Sequence, residues 1–270
     1  VPIALFLLFL TGVGPLIAWR KSSFDSLRRA FQWPALVGAL VSLGLFAAGI
    51  RNFYALVSFG LCAFVLVSVA MEFVKGANAI ASKDKSTFIA SVIELTHRNT
   101  RRYGGYLVHV GVVIMFIGFT GKAFDERMTV EVSKGDVVSI GKYQLRLDDI
   151  AGGQNDLYRW QKISVDASKN GEHIGTLTPE KRLYLAKKEP ASEVAIRRRP
   201  NEDLYINFAG LSDDGQKVVM EAYVFPLVSW IWMGYWVTLA GTLVCLIPSK
   251  SRLIYPRTEV VGIAGKHAKV

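Results

Sequence analysis

The stretch RRYGGYLVHVGVVIMFIGFTGKAF, residues 101–124, is long and apolar enough to cross a bilayer, and it holds a histidine, His109, within its apolar part. A spanning helix takes roughly 20 residues at about 1.5 Å each. A titratable ring in hydrocarbon is costly and ordinarily has a partner or a task. One such task is axial ligation of a haem iron, for which imidazole is a common ligand. Gly105 lies one turn before His109, and Gly111 and Gly118 follow it. Small residues there leave room for a flat macrocycle, but they equally allow two helices to pack closely. The residues alone leave open a haem ligand, an interhelical hydrogen bond and a plain packing role. His97, His173 and His267 fall in a surface loop, a polar segment and the tail. None reaches the depth of His109, so a second axial ligand is expected from another chain or from sequence before Val1.

Outward from this helix, four further apolar runs appear: Val1–Trp19, Pro34–Ile50, Phe53–Val74 and Phe225–Pro248. The chain is 51% hydrophobic over 270 residues, and its mean hydropathy is +0.30. Those values suit a chain that is part membrane and part aqueous. It opens at Val1 inside an apolar run with no basic stretch before it. A chain whose start is missing or processed is therefore expected rather than one with an intact signal peptide.

The net charge of +10 is unevenly placed. Residues 122–224 hold 16 Lys+Arg against 17 Asp+Glu, and the remainder holds 16 against 5. The basic excess therefore borders the hydrophobic runs, which argues for the positive-inside pattern and against nucleic-acid binding. Basic residues cluster in the 20–33 loop, the 75–102 loop and the tail, all on one side of a five-span zigzag. That side is assigned to the cytoplasm, which puts residues 122–224 outside, in the periplasm of a Gram-negative cell. Within the inner loop, Phe88, Ile89, Val92 and Ile93 form one apolar stripe ending in basic residues. It reads as a membrane-surface helix over about 87–102 or as a plain connector.

Residues 122–224 change period. Short, partly alternating runs such as Met128–Val132, Tyr143–Ile150, Asp203–Phe208 and Lys217–Phe225 are separated by Gly, Asn-Gly and Pro breaks. They describe a small all-β domain, with Asn170-Gly171 as a hairpin turn. The expected fold is an α-helical multi-span membrane protein with an inserted small all-β extracytoplasmic domain. Residues 1–121 form the membrane domain, with spans about 1–19, 34–50, 53–74 and 103–120. Residues 122–224 form the β domain, 225–248 the final transmembrane helix and 249–270 a cytoplasmic tail.

Other candidates have plainer readings. Cys62 and Cys245 sit in apolar runs without C-x-x-C or C-x-x-C-H spacing, as buried small hydrophobes do. Glu72 and Glu94 read as solvated carboxylates near helix ends. The run Arg197–Arg199 suits a solvated strand edge, although it could meet haem propionates or an acidic partner. Trp230, Trp232, Tyr235 and Trp236 read as interfacial anchors, or as walls for a porphyrin. No H-E-x-x-H, P-loop or G-x-S-x-G motif occurs, and Gly104-Gly105 follows no strand.

Three blocks together carry a resemblance: RRYGGYLVHVGVVIMFIGFTG at 101–121, PEKRLYL…SEVAIRRRPNEDLYINFAG at 179–210 and PLVSWIWMGYWVTLAGTLVCLIP at 226–248. With GPLIAWR at 14–20, they resemble the C-terminal part of the CcmF family of cytochrome c-type biogenesis proteins, the haem lyase subunit of c-type cytochrome maturation. The resemblance implies an inner-membrane protein that joins haem to apocytochrome c. Its implied partners are a periplasmic haem chaperone, thiol-handling maturation subunits and quinol. It also implies a permanent membrane haem b, with His109 matching one axial ligand. The family's tryptophan-rich haem-handling motif, the two histidines beside it and the second haem b ligand lie in an N-terminal half not seen here. This chain is therefore expected to need that missing N-terminal portion and to be inactive alone. His97 stands where the family often has arginine. The alternatives are a non-catalytic assembly or anchoring subunit with a docking β domain, and a transporter half. The latter is weakened because no other span carries a central ionisable group.

Overall fold

A computed structural model describes residues 1–16, 24–85, 87–186, 188–213 and 217–249. The expectations for the tail beyond Pro248, including His267, and for the end of the first apolar run at Trp19 lie outside the described residues. The helices are α1 (Pro2–Leu16), α2 (Phe24–Ala47), α3 (Phe53–Asp84), α4 (Phe88–Arg98), α5 (Thr100–Thr120) and α6 (Val228–Leu246). Among the described residues α2, α3, α5 and α6 are long and apolar enough to cross a membrane, whereas α1 is shorter. The chain is a multi-pass membrane protein with a β domain inserted between α5 and α6.

Several boundaries differ from the apolar runs for local reasons. The helix begun at Phe53 does not stop at Val74 but runs on to Asp84. Its extension buries Ala77 and Ile80, three residues apart and so on one face. Asn52 starts it by accepting the Ala55 amide at 3.1 Å, and Lys85 ends it in the left-handed region. Similarly, α2 begins ten residues before Pro34, which sits inside the helix. The expected surface helix over 87–102 is divided. Asn99, at φ −145° and ψ 69°, ends α4 and caps α5 through its side chain to the Arg102 amide. Along α4, Phe88, Ile89 and Ile93 remain exposed, as an apolar stripe at a membrane surface would be.

A helical cluster of Leu8, Cys62, Phe64, Val65, Val69, Tyr103, Tyr106 and Val113 joins α1, α3 and α5. Ser58 and Thr120 share a buried hydrogen bond of 2.6 Å near the β-domain end of α3 and α5. At the opposite end Thr100 donates to the Ile247 carbonyl at 2.6 Å, tying the start of α5 to the end of α6. The ends of the α3–α4 connection therefore lie opposite the β domain, while Val1 and Asn52 lie on its side.

The β domain comprises β1 (Glu126–Val132), β2 (Val137–Ile140), β3 (Tyr143–Gln154), β4 (Tyr158–Lys169), β5 (Glu172–Leu177), β6 (Glu180–Tyr184), β7 (Glu189–Glu193), β8 (Ala195–Arg197), β9 (Glu202–Leu211) and β10 (Val218–Pro226). One sheet runs β1-β10-β9-β8 and the other β2-β3-β4-β6-β7, with β5 also paired to β4. Alternate residues Leu145, Leu147, Ile163, Val165, Leu204, Ile206, Phe208 and Met220 fill the space between the sheets. Asn170 (φ 52°) and Gly171 (φ 85°) form the β4–β5 hairpin turn, both in the left-handed region that such turns require. The sequence reading had no strand at β5 and none at most of β7, because EHIGTL and EPASE lack alternating apolar residues. They form through pairing with their neighbours rather than through burial.

A 3₁₀ turn, Gly121–Phe124, leads from α5 into β1. A methyl group on Gly121 would lie 2.1 Å from the Pro226 carbonyl, so the two connections between sandwich and helices touch. Leu227, with φ 62°, turns the chain from β10 into α6 while its amide donates to Asn201.

Candidate functional site

The glycines of α5 separate onto different faces. Gly104, Gly111 and Gly118 are seven residues apart and meet α6. Methyl groups built on them would lie 2.7 Å from Cys245 Sγ, 2.3 Å from Thr238 Oγ1 and 2.6 Å from the Ile231 side chain respectively. On α6, Gly234 and Gly241 receive α5 with equal closeness. The close-packing reading therefore holds for these positions.

Gly105 behaves otherwise, since a methyl group there would meet nothing within 4 Å. It lies one turn before His109, on the same face as His109 and Arg102. His109 stands at the middle of α5, about nine residues and ~14 Å from its start. Its ring is half-buried, and the backbone of Thr11 on α1 is its polar neighbour. Nδ1 is buried and has no hydrogen-bond partner. A buried polar nitrogen left unpaired costs about 1–3 kcal/mol. An imidazole with an unpaired nitrogen, one turn from a glycine with open space beside it, is compatible with a ligand-binding role.

Below His109 the sequence reading missed a polar cluster. Glu72 is not a solvated carboxylate, because its side chain is only 15% exposed and accepts Arg102 Nη2 at 2.5 Å. Arg102 Nε also donates to the Tyr106 hydroxyl at 2.8 Å, and Lys75 lies 3.7 Å from Glu72. The available signal was Arg102 with Tyr106 one turn later, at the basic entrance of a span. This arrangement fixes a guanidinium two turns from His109 on the same face.

The other candidates do not converge on His109. His97 is exposed in the last turn of α4. His173 on β5 sets Nδ1 3.1 Å from Asp166. Cys62 is buried with Sγ 3.9 Å from the Val113 carbonyl, and Cys245 faces the Arg101 carbonyl at 3.6 Å. Among the described residues no group of three His, Cys, Asp or Glu could hold a metal ion. Trp232, Tyr235 and Trp236 are exposed on α6.

A cavity of about 520 Å³ lies between α1, α3 and α5 at their β-domain end, with Leu5, Ala55, Phe116 and Phe119 in its wall and Lys122 also lining it. A second, of about 550 Å³, lies in the β domain among Tyr143, Lys169, His173, Arg197 and Arg199. There Lys169 forms an ion pair with Glu202, and the Tyr143 hydroxyl donates to the same carboxylate at 2.9 Å. Burial pushes the Glu202 pKa up, but the bonds from Lys169 and Tyr143 outweigh it and hold the group below the ordinary range. The Lys169 pKa is raised by its bond to Glu202.

Residues 123–226 match the family model described as the CcmF C-terminal beta-sandwich. The chain is 28% identical over 260 residues to the cytochrome c-type biogenesis protein CycK of Rhizobium meliloti, covering 94% of this chain and 37% of that protein. It is 28% identical over 277 residues to the cytochrome c-type biogenesis protein CcmF of Pseudomonas aeruginosa, covering 99% of this chain and 40% of that protein. The solved structure of the cytochrome c heme lyase CcmF superposes with a TM-score of 0.75 at 20% identity, over 92% of this chain and 39% of that one. The chain thus resembles the C-terminal part of CcmF in sequence and in fold, and it spans about two fifths of the length of these relatives.

Proposed function

We propose that this chain is the histidine-bearing C-terminal segment of a cytochrome c haem lyase subunit, in which His109 supplies one axial ligand to a membrane haem b. The observation that carries the reading is the buried, unpartnered Nδ1 of His109 at mid-helix, beside the open face of Gly105. An imidazole there offers one nitrogen to iron while the other is fixed by its surroundings, which sets ring orientation and ligand strength. The Thr11 backbone on α1 is placed to orient the ring. Arg102, held by Glu72 and Tyr106, adds a fixed positive charge on the same face, favourable to an acidic group. A haem held there would supply one-electron chemistry, of the kind that could keep delivered haem reduced for attachment to apocytochrome c. The second axial ligand comes from polypeptide outside this chain.

In this reading the basic side is cytoplasmic and residues 122–224 stand in the periplasm of a bacterial inner membrane. The β domain then faces the apocytochrome, the haem chaperone and the thiol-handling subunits, with quinol as electron source. In this reading the activity would also need the portion of the relatives that this chain does not span. The test is the reduced-minus-oxidised spectrum of the protein co-expressed with that portion and purified in detergent. His109→Ala should abolish the b-type band. A band of unchanged size and position removes His109 from the ligand list and refutes the assignment.

A further inference from the structure

The β-domain cavity lies beside the start of α6, a helix long and apolar enough to cross a membrane. Its floor is the 199–202 loop, and that loop is bonded to the first turn of α6. The Ser229 hydroxyl donates to the Arg199 carbonyl at 3.0 Å, the Trp230 indole donates to the Pro200 carbonyl at 3.0 Å, and the Leu227 amide donates to Asn201 at 2.9 Å. The first turn of a spanning helix marks the boundary between hydrocarbon and water, and a tryptophan there anchors with its indole N–H toward the polar side. The Trp230–Pro200 bond thus ties the cavity floor to the first turn of α6, where a spanning helix would meet lipid headgroups.

The charges lining the cavity are unequally used. Lys169 and Glu202 neutralise one another. Arg197 donates Nη1 to the Ile174 carbonyl, which fixes its guanidinium and leaves other N–H donors unspent. The Arg199 guanidinium has no partner among the described residues, although its own amide is held by the buried Asp203. Against these two arginines the lining offers one further carboxylate, Glu172, while His173 is directed at Asp166. A guanidinium presents paired donors that match the oxygens of a phosphate. A solvated strand edge, the plainer reading of Arg197–Arg199, would not line a cavity of about 550 Å³ at the bilayer surface.

We propose that this cavity binds the phosphate of an anionic phospholipid headgroup through Arg197 and Arg199, and so pins the β sandwich to the membrane surface. The proposal does not depend on His109. The test is native mass spectrometry of the full chain in uncharged detergent, titrated with phosphatidylglycerol, phosphatidylcholine, inorganic phosphate or haem. Arg199→Gln should weaken phosphatidylglycerol binding by about tenfold, as loss of a charge-assisted hydrogen bond does. Arg198→Gln removes an equal charge from the neighbouring residue, which does not line the cavity, and should leave binding near that of the parent. Arg197→Gln should weaken binding in the same direction as Arg199→Gln. Equal loss from Arg198→Gln and Arg199→Gln, or no loss from either, overturns the proposal. So does displacement of the lipid by haem or inorganic phosphate at equal concentration, which would make the cavity a general anion site or a carboxylate site. The b-type spectrum of Arg199→Gln should match the parent, so this result and the His109 result can fail separately.

Discussion

Gly111→Ala tests the helix packing that holds His109 in place. The added methyl would lie 2.3 Å from Thr238 Oγ1, 2.5 Å from the Thr238 amide nitrogen and 2.8 Å from the Gly234 carbonyl. The hydroxyl can rotate away, but the other two atoms belong to the α6 backbone. Restoring ordinary contact requires the helices to part by roughly 1 Å, which also loosens the contacts at Gly104 and Gly118. Overpacking of this kind costs about 1–3 kcal/mol. Alanine in place of glycine returns about 0.5–1 kcal/mol of helix propensity. The expected net loss is about 0.5–2 kcal/mol, or roughly two- to thirtyfold in the folded-to-unfolded ratio. Gly44→Ala on α2 is the matched control, since a methyl there meets nothing within 4 Å and only the propensity gain applies. Reversible unfolding in mixed micelles, followed by helical circular dichroism, measures both variants. Gly234→Ala should behave like Gly111→Ala, because its methyl would lie 2.5 Å from the Gly111 carbonyl. If Gly111→Ala is as stable as Gly44→Ala, the α5–α6 interface is not close-packed as described.

Three other outcomes are expected. Thr238 Oγ1 is buried without a partner, so Thr238→Val should be neutral or stabilising by up to about 1 kcal/mol in the same assay. Gly105→Leu should not lower stability, since open space surrounds its Cβ and helix propensity adds up to about 1 kcal/mol, while it should reduce the b-type band of the co-expressed protein by filling that space one turn before His109. The Glu202–Lys169 pair should make β-domain stability depend on pH. The depressed carboxylate contributes fully above its ordinary value of 4.5 and loses its contribution as pH falls through the lowered folded value. The raised amine contributes fully below 10.5 and loses its contribution as pH rises through its higher folded value. Calorimetric melts should therefore plateau between about pH 5 and 10, and Glu202→Gln should flatten the acid limb.

The sequence conveys the two-part architecture because membrane helix and sandwich strand have different periods. Apolar runs of bilayer length stand apart from short alternating segments, and the charge partition marks the same division. Helix ends are less visible, since they depend on tertiary contacts. The apolar run that begins at Phe53 fades at Lys75, yet the helix continues because Ala77 and Ile80 find a buried face. The division at Asn99 needs one residue to cap two helices, which no single propensity reveals. β5 and β7 are invisible for a related reason, as they are made by partners rather than by their own apolar residues.

The site is legible in its residue and not in its surroundings. His109 stands out because a titratable ring in an apolar run is rare. What separates ligand from packing lies in the glycines around it, and in sequence these look alike. Gly104, Gly111 and Gly118 repeat at seven residues and return to one face, where α6 fills every position. Gly105 is shifted by one residue from Gly104 and so turns by about 100°, away from α6 to a side where an added methyl would meet nothing within 4 Å. Two adjacent glycines therefore do opposite work, one closing the helix pair and the other leaving open space one turn before His109. Glu72 escapes notice by the same logic. It is 30 residues from Arg102 in sequence, and only the packing of α3 on α5 turns two ordinary charges into a fixed pair below the histidine. A repeat on α5 thus builds the contact with α6, and Gly105, which departs from it, is left outside that contact.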